Sequence, residues 1–366
     1  MNFSISKAVL TLALLCSSNL VRAQIFDIEI TDWGGINNQT LRDFVNTQID
    51  KIKTDLNKDL PNGSPDRLLE GMANSSAMAG KGIGTDYTSS MDVFVIGLGV
   101  GAAADLEKNK EYDSDLSGIG VAPGVMLGMN LGFMDARHFL GMETNRLNWF
   151  VNFMSYTHDQ EMGKEDKPTD LNLKMLAFGT HLRYDLVRPS GPGLLRWGGF
   201  KFTFGFEYNA TTTTFTSKIK ETISETTSNG EVIHGTIEGS PKGIIESTTM
   251  SIPIALSTDL RLFYILSIYT GVGADYNMGK ATGKGDLNGT ESTLDCDTGG
   301  LCDPTAQQIR VRPIANLDSE GKVTPFTFRA FAGAQINLPI VKIFAQVDKS
   351  LTNEVMAATA GIRLAF

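Results

Sequence analysis

Residues Phe200–Tyr208 read FKFTFGFEY. Phe200, Phe202, Phe204, Phe206 and Tyr208 stand at every second position, with Lys201, Thr203, Gly205 and Glu207 between them and Asn209 next in line. Successive side chains of a strand point to opposite faces. One face of this strand is therefore aromatic, and the other carries a lysine, a glutamate and hydrogen-bonding groups. A soluble sandwich would cover the aromatic face with a second sheet. A membrane barrel would cover it with lipid and turn the wet face toward water or polar contents.

The same period of two runs from Met91 to Phe366. It gives about ten long strands, among them MDVFVIGLGVGAAADL, GIGVAPGVMLGMNL, RLNWFVNFMSY, LNLKMLAFGTHLRYDLV, TTMSIPIALST, TPFTFRAFAGAQINL and VMAATAGIRLAF. Most reach the roughly 9–11 residues that cross a bilayer, where globular strands cluster near about 5–6. The links after odd strands are mostly long and polar: EKNKEYDSD, THDQEMGKEDKPTD and the segments 217–243 and 280–322. Several links after even strands are short, as at Thr258–Arg261 and Leu338–Pro339. Long loops at one end and short turns at the other fit an outer-membrane barrel. The links Gly132–Asn145 and RPSGPGLLRWGG exceed a turn and leave room for a further hairpin or short helices. The predicted fold is all-β: a transmembrane antiparallel up-and-down barrel of about 10–14 strands, with an N-terminal helical segment.

The residues before Met91 differ. Lys7 precedes the apolar run AVLTLALL, and small residues lead to Ala23. This pattern predicts a signal peptide over 1–23, cleaved after Ala23; Cys16 raises lipidation as an alternative. Residues 24–90 form the second unit. Leu41, Phe44, Val45, Ile49, Ile52, Leu56 and Leu60 recur at helical spacing, which predicts an amphipathic helix. A weaker helix covers Asp66–Met78, and AGKGIGTDYTSS reads as a linker of turn-forming residues. Residues 91–366 form the barrel.

Composition narrows the classes. The net charge of -9 becomes -11 without Lys7 and Arg22, which argues against a nucleic-acid partner. Mean hydropathy is -0.06, and no stretch after residue 23 has the length and apolarity of a membrane helix. Alternating strands average to such neutrality. Beyond the signal the only cysteines are Cys296 and Cys302, in LDCDTGGLCD; in an exported chain they predict a local disulfide.

The C-terminal residues TAGIRLAF resemble the β-signal of bacterial outer-membrane barrels, with Thr359, Gly361, Leu364 and Phe366 in its polar, glycine, hydrophobic and aromatic places. The resemblance implies recognition by the barrel-assembly machinery, insertion among outer-membrane lipid and lipopolysaccharide, and location in the bacterial outer membrane. GKGIGTDYTSSMDVFVIGLGVG also resembles surface barrels of spirochaetes, with no residue role to carry over.

Catalytic patterns are not found. The omptin proteases use an Asp-x-His pair; His158 is followed by Asp159 and has no aspartate two positions before it. Barrel phospholipases and deacylases use His-x-Ser, which none of His138, His158, His181 and His234 begins. Asp295, Asp297 and Asp303 match no complete calcium loop. The glycines of GLGVGAAA lie in a strand with no helix to receive a phosphate, and read as close packing against lumen contents. No enzyme activity, cofactor or metal is expected.

The expected lumen residues are Lys174, Lys201, Glu207, Arg329, Lys342, Asp348 and Arg363, mixed in sign. Phe331 and Phe344 also point inward and need an apolar cover, for which the helix around 41–60 is the candidate, plugging or capping the barrel from the periplasmic side. A barrel near ten strands is close to the size that side chains fill. The favoured function is a plugged channel or transporter of small or hydrophobic solutes, architecturally resembling fatty-acid transporters with their N-terminal hatch. The alternative is a non-transporting structural or adhesin-like barrel that meets an extracellular partner through long acidic loops.

Overall fold

The computed structural model describes residues 26–33, 39–57, 65–88, 93–106, 118–133, 138–139, 141–164, 167–191, 194–217, 219–226, 232–239, 242–286, 292–297, 308–315 and 318–366.

Ten strands close into a ring. They are β1 (Phe94–Asp105), β2 (Gly118–Asn130), β3 (Leu147–Lys164), β4 (Lys167–Asp185), β5 (Leu195–Ser217), β6 (Lys242–Leu262), β7 (Leu266–Asp286), β8 (Phe326–Asn337), β9 (Val341–Ser350) and β10 (Val355–Ala365). Each is antiparallel to its sequence neighbours, and β10 pairs with β1 to leave no open edge. The short strand Ser319–Lys322 continues the line of β8 along β7. Closure satisfies the backbone groups that long alternating strands would otherwise expose to lipid.

The alternation sorts the side chains. On β5, Phe200, Phe202 and Phe204 are exposed, while Lys201, Thr203 and Asn209 are buried. Leu98, Leu127, Phe153, Phe178, Ile254, Val272, Phe328, Val347 and Ile362 extend the exposed apolar band around the ring. An apolar belt of this extent has a natural cover only in a bilayer. Among the described residues no helix is long and apolar enough to cross one.

Several expected loops are strand. THDQEMGKEDKPTD is the end of one hairpin, with β3 and β4 paired continuously from Leu147–Tyr184 to Lys164–Lys167. The segments 217–243 and 280–322 contribute Ile219–Thr226, Val232–Gly239, Ser292–Asp297 and Gln308–Ala315 to a second sheet. Its fifth member is Phe26–Asp32, which the sequence reading left unassigned. The order is 26–32, 308–315, 292–297, 232–239, 219–226. The strands are short and lie far apart in sequence, but Ile28 of Phe26–Asp32 and Ile309 and Val311 of Gln308–Ala315 are buried. The link after β2 holds two short helical turns, Leu131–Phe133 and Thr144–Arg146, around the small hairpin His138–Phe139 with Met142–Glu143. Of LDCDTGGLCD, Cys296 lies in a strand of the second sheet, whereas Cys302 and Asp303 fall outside the described residues, as do EKNKEYDSD and residues 1–23.

Among the described residues two helices precede the barrel: α1 (Gln39–Asn57) and α2 (Pro65–Ala79). Pro65 at the first position and Asp66 in the first turn suit a helix N-terminus. α1 lies against the strand Phe26–Asp32, with Ile28, Val45 and Ile49 buried and the Arg42 guanidinium 5.1 Å from the Trp33 ring. α2 packs against the inner faces of β1, β2, β6, β7 and β10.

Candidate functional site in the barrel lumen

The lumen is occupied by α2 and the chain that follows it to Thr88. Leu68, Leu69, Met72, Ala73 and Ala77 cluster with Ile245, Ala281 and Val323. These wall residues lie where β5 ends, β6 begins and β7 ends, the end of the barrel that carries the long links. Further in, Met78, Ala79 and Ile83 meet Ala103, Ala122, Val355 and Ala357. The fit requires a bare wall. A Cβ on Gly101 would stand 2.0 Å from the Ala79 carbonyl oxygen, and one on Gly120 2.5 Å from the backbone of Ser75. These inward glycines let a helix backbone lie directly on the sheet.

Polar contacts fix the register. The Ser75 hydroxyl donates to the Gly118 carbonyl at 3.1 Å, Asn209 Nδ2 to the Ser76 carbonyl at 3.0 Å, and the Thr324 amide to Asn74 Oδ1 at 2.7 Å. The Thr359 hydroxyl donates to the Lys81 carbonyl at 2.7 Å.

Charge is matched at two levels. Lys81 Nζ stands 2.6 Å from Glu207 Oε2 and 3.7 Å from Asp275 Oδ1. His181 Nε2 lies 3.1 Å from the other oxygen of Glu207. Arg329 bridges Asp275 at 3.1 Å and Asp348 at 2.8 Å. Deeper, the Asp86 carboxylate lies 3.5 Å from Arg363 and 3.9 Å from Lys342. Arg183 donates to the Asp86 and Thr88 carbonyls. Arg363 donates to the Thr85 carbonyl at 2.7 Å and to Gln335 Oε1 at 2.9 Å. Lys201 pairs with Asp259, away from the inserted segment. Buried charges persist only when paired in this way.

Lys201, Glu207, Arg329, Lys342, Asp348 and Arg363 all line this interior. Lys174 does not: it is exposed, on the side of β4 that Leu176 and Phe178 share. Phe331 and Phe344 are inside, but their cover is not the 41–60 helix. The Tyr87 ring lies 4.6 Å from Phe331 and 5.9 Å from Tyr269, and Arg363 lies 3.7 Å over Phe344. The stretch AGKGIGTDYTSS, read as a linker, supplies Lys81, Ile83, Asp86, Tyr87 and Thr88, all buried. Its glycines blur any periodicity, and the partners that bury it, among them Glu207, Asp275, Arg183 and Arg363, lie on distant strands. α1 is too polar on most of its surface to enter; α2 is small-sided enough to fit. Asp275 shares the polar face of Ser267 and Asn277 and was legible on that ground, whereas His181 and Arg183 have the parity opposite to Lys174, the β4 residue expected inside, and were missed with it.

Two cavities beside α2 measure about 20 and 10 Å³, space for about one water. Among the described residues no group of three or more His, Cys, Asp or Glu could hold a metal ion.

The barrel resembles several solved structures. One is the transport unit of the autotransporter AIDA-I from Escherichia coli, at 7% identity and a TM-score of 0.32, covering 81% of this chain and 99% of that one. Another is the outer-membrane protease OmpT from Escherichia coli, at 7% identity and a TM-score of 0.36, covering 77% and 99%. A third is Ail, the attachment invasion locus protein of Yersinia pestis, at 11% identity and a TM-score of 0.25, covering 75% and 100%. OmpT corrects the expectation that the chain is not an enzyme: a protease stands among the barrels it resembles, so the barrel gives no ground for excluding catalysis. In a comparison with curated proteins nothing matches. The sequence model of the Lsa36-like family matches residues 20–366. The chain is a β-barrel protein of the bacterial outer membrane and belongs to the Lsa36-like family.

Proposed function

We propose that the protein is a surface-display barrel: a filled membrane anchor that holds its second sheet outside the cell for contact with a partner. Three units serve this reading: residues 1–23 as an export signal, 24–90 as arm and lumen filler, and 91–366 as the barrel. The observation that carries it is the occupied lumen. Met72–Ala79 and Lys81–Thr88 are buried throughout, and two cavities beside them each have room for about one water. A solute path would require this whole segment to leave, breaking Lys81–Glu207 and Asp86–Arg363 together. Short turns in outer-membrane barrels face the periplasm and long connections face outward, so the second sheet belongs outside. A Cys296–Cys302 disulfide would stiffen that surface and lower the ordering cost of binding. Lipid and lipopolysaccharide surround the exposed aromatic belt, and Thr359, Gly361, Leu364 and Phe366 engage the assembly machinery.

Transport remains the second reading. The lumen segment is held by polar and ionic contacts as much as by apolar packing, which suits a plug that can move. Planar-bilayer recordings separate the two. Display predicts no conductance steps from the folded full chain under any applied salt or voltage. Reproducible steps from the intact chain would favour the channel.

A further inference from the structure

We propose that the barrel carries its own N-terminal arm, residues 26–57, to the outer surface, and that residues 65–88 are the stretch left spanning the lumen. The inference rests on the outward assignment of the long connections. The two ends of the inserted segment lie at opposite mouths of the barrel. At one end, Ser319 donates to Asp66 at 2.5 Å and Arg67 stands 3.6 Å from Asp105. Asp105 closes β1 and Ser319 belongs to the long β7–β8 connection, so this is the long-link mouth. At the other end, Thr88 meets Arg183 at 2.9 Å and Gln335 at 2.9 Å. Those residues lie near the short-turn ends of β4 and β8, beside which β1 begins and the Phe94 amide donates to the Phe366 carbonyl at 3.2 Å. Lys81 sits between, on mid-barrel Glu207 and Asp275. The chain therefore threads the ring in one pass. An α-helix of fifteen residues covers about 22 Å, and the nine following residues complete the crossing.

What precedes the threaded segment is consequently on the far side. Phe26–Asp32 pairs with Gln308–Ala315 of the β7–β8 connection, Glu29 opposite Arg312 with 3.1 Å between their charged groups. The arm is built for the passage. Residues 24–64 contain no cysteine that could lock them. α1 lies against the strand Phe26–Asp32, with Val45 and Ile49 buried. A ten-stranded ring has room for about one helix, so the arm and second sheet pass or close around before they fold together. The outer surface is then bipartite, built from the long connections and the arm.

Impermeant-maleimide labelling on intact cells tests this, in a full chain carrying C296S and C302S. Single cysteines go at D43C in α1, E320C beside the long connection and Y264C in the short β6–β7 turn. The expected result is labelling of D43C and E320C in intact cells, with Y264C reacting only after permeabilisation. The double variant E29C/R312C is expected to cross-link on oxidation, which shows the arm seated in the outer sheet even where D43C is shielded. Labelling of E320C with D43C silent until permeabilisation, and no E29C/R312C cross-link, would overturn the inference while leaving a surface-facing barrel intact. Labelling of Y264C in intact cells with E320C silent would overturn the orientation, and both readings with it.

Discussion

Asp86 and Lys81 are the residues on which the filled lumen turns. Asp86 offers one carboxylate to Arg363 and Lys342, and Lys81 one ammonium to Glu207 and Asp275. Removing one partner of a buried pair typically costs about 3–5 kcal/mol, because the other charge is left uncompensated. D86N and K81M should each lower the temperature at which the folded band disappears on an unheated-versus-heated gel, and R363Q placed on D86N should recover part of the loss. Unchanged transitions would mean that the segment is not held by these pairs. On the outer face the expectation is opposite in kind. F204L should be nearly neutral, whereas F204K should impair refolding into lipid by up to about 2–4 kcal/mol, the cost of a lysine at mid-bilayer depth. Titration with urea in bilayers measures both. The face of Phe204 was legible in FKFTFGFEY because a strand's parity is a local property. Lys81 and Asp86 were not, since Lys81 sits 126 positions from Glu207 and no short-range pattern anticipates it.

At the scale of elements, the match between α2 and the inner wall is steric. Gly101 and Gly120 stand where a side chain would enter the helix backbone. G101V and G120V should dislodge α2 without disturbing the outward faces of β1 and β2. The folded barrel should persist on gels while proteolysis within residues 65–88 rises several-fold. Continued protection would show that the helix has slack in its seat. The ten long strands were readable because each couples a period of two to bilayer length. The choice between the two helices was not. α1 has the stronger amphipathic pattern, and amphipathicity marks a helix that lies on something; α2, lined with Gly, Ala and Ser, suits enclosure on all sides. Extension of β3 and β4 into THDQEMGKEDKPTD was hidden as well, since that stretch is polar on both faces and resembles a loop in composition.

For the whole molecule, the closed ring, the threaded segment and the second sheet describe an anchor with an outward head. The ring's topology could be counted from the sequence to within a few strands, because turns, lengths and loop asymmetry all derive from crossing a bilayer. The head could not, since its strands come from three separated stretches and include Phe26–Asp32, whose partner lies 279 positions away at Thr31–Arg310. The most direct test of the account is single-channel recording of the refolded full chain beside a version lacking residues 24–88, both verified as folded by gel shift. The account predicts silence from the full chain and frequent steps from the shortened one. Steps of equal size and frequency from both would contradict it, because the lumen would then be open with the segment in place.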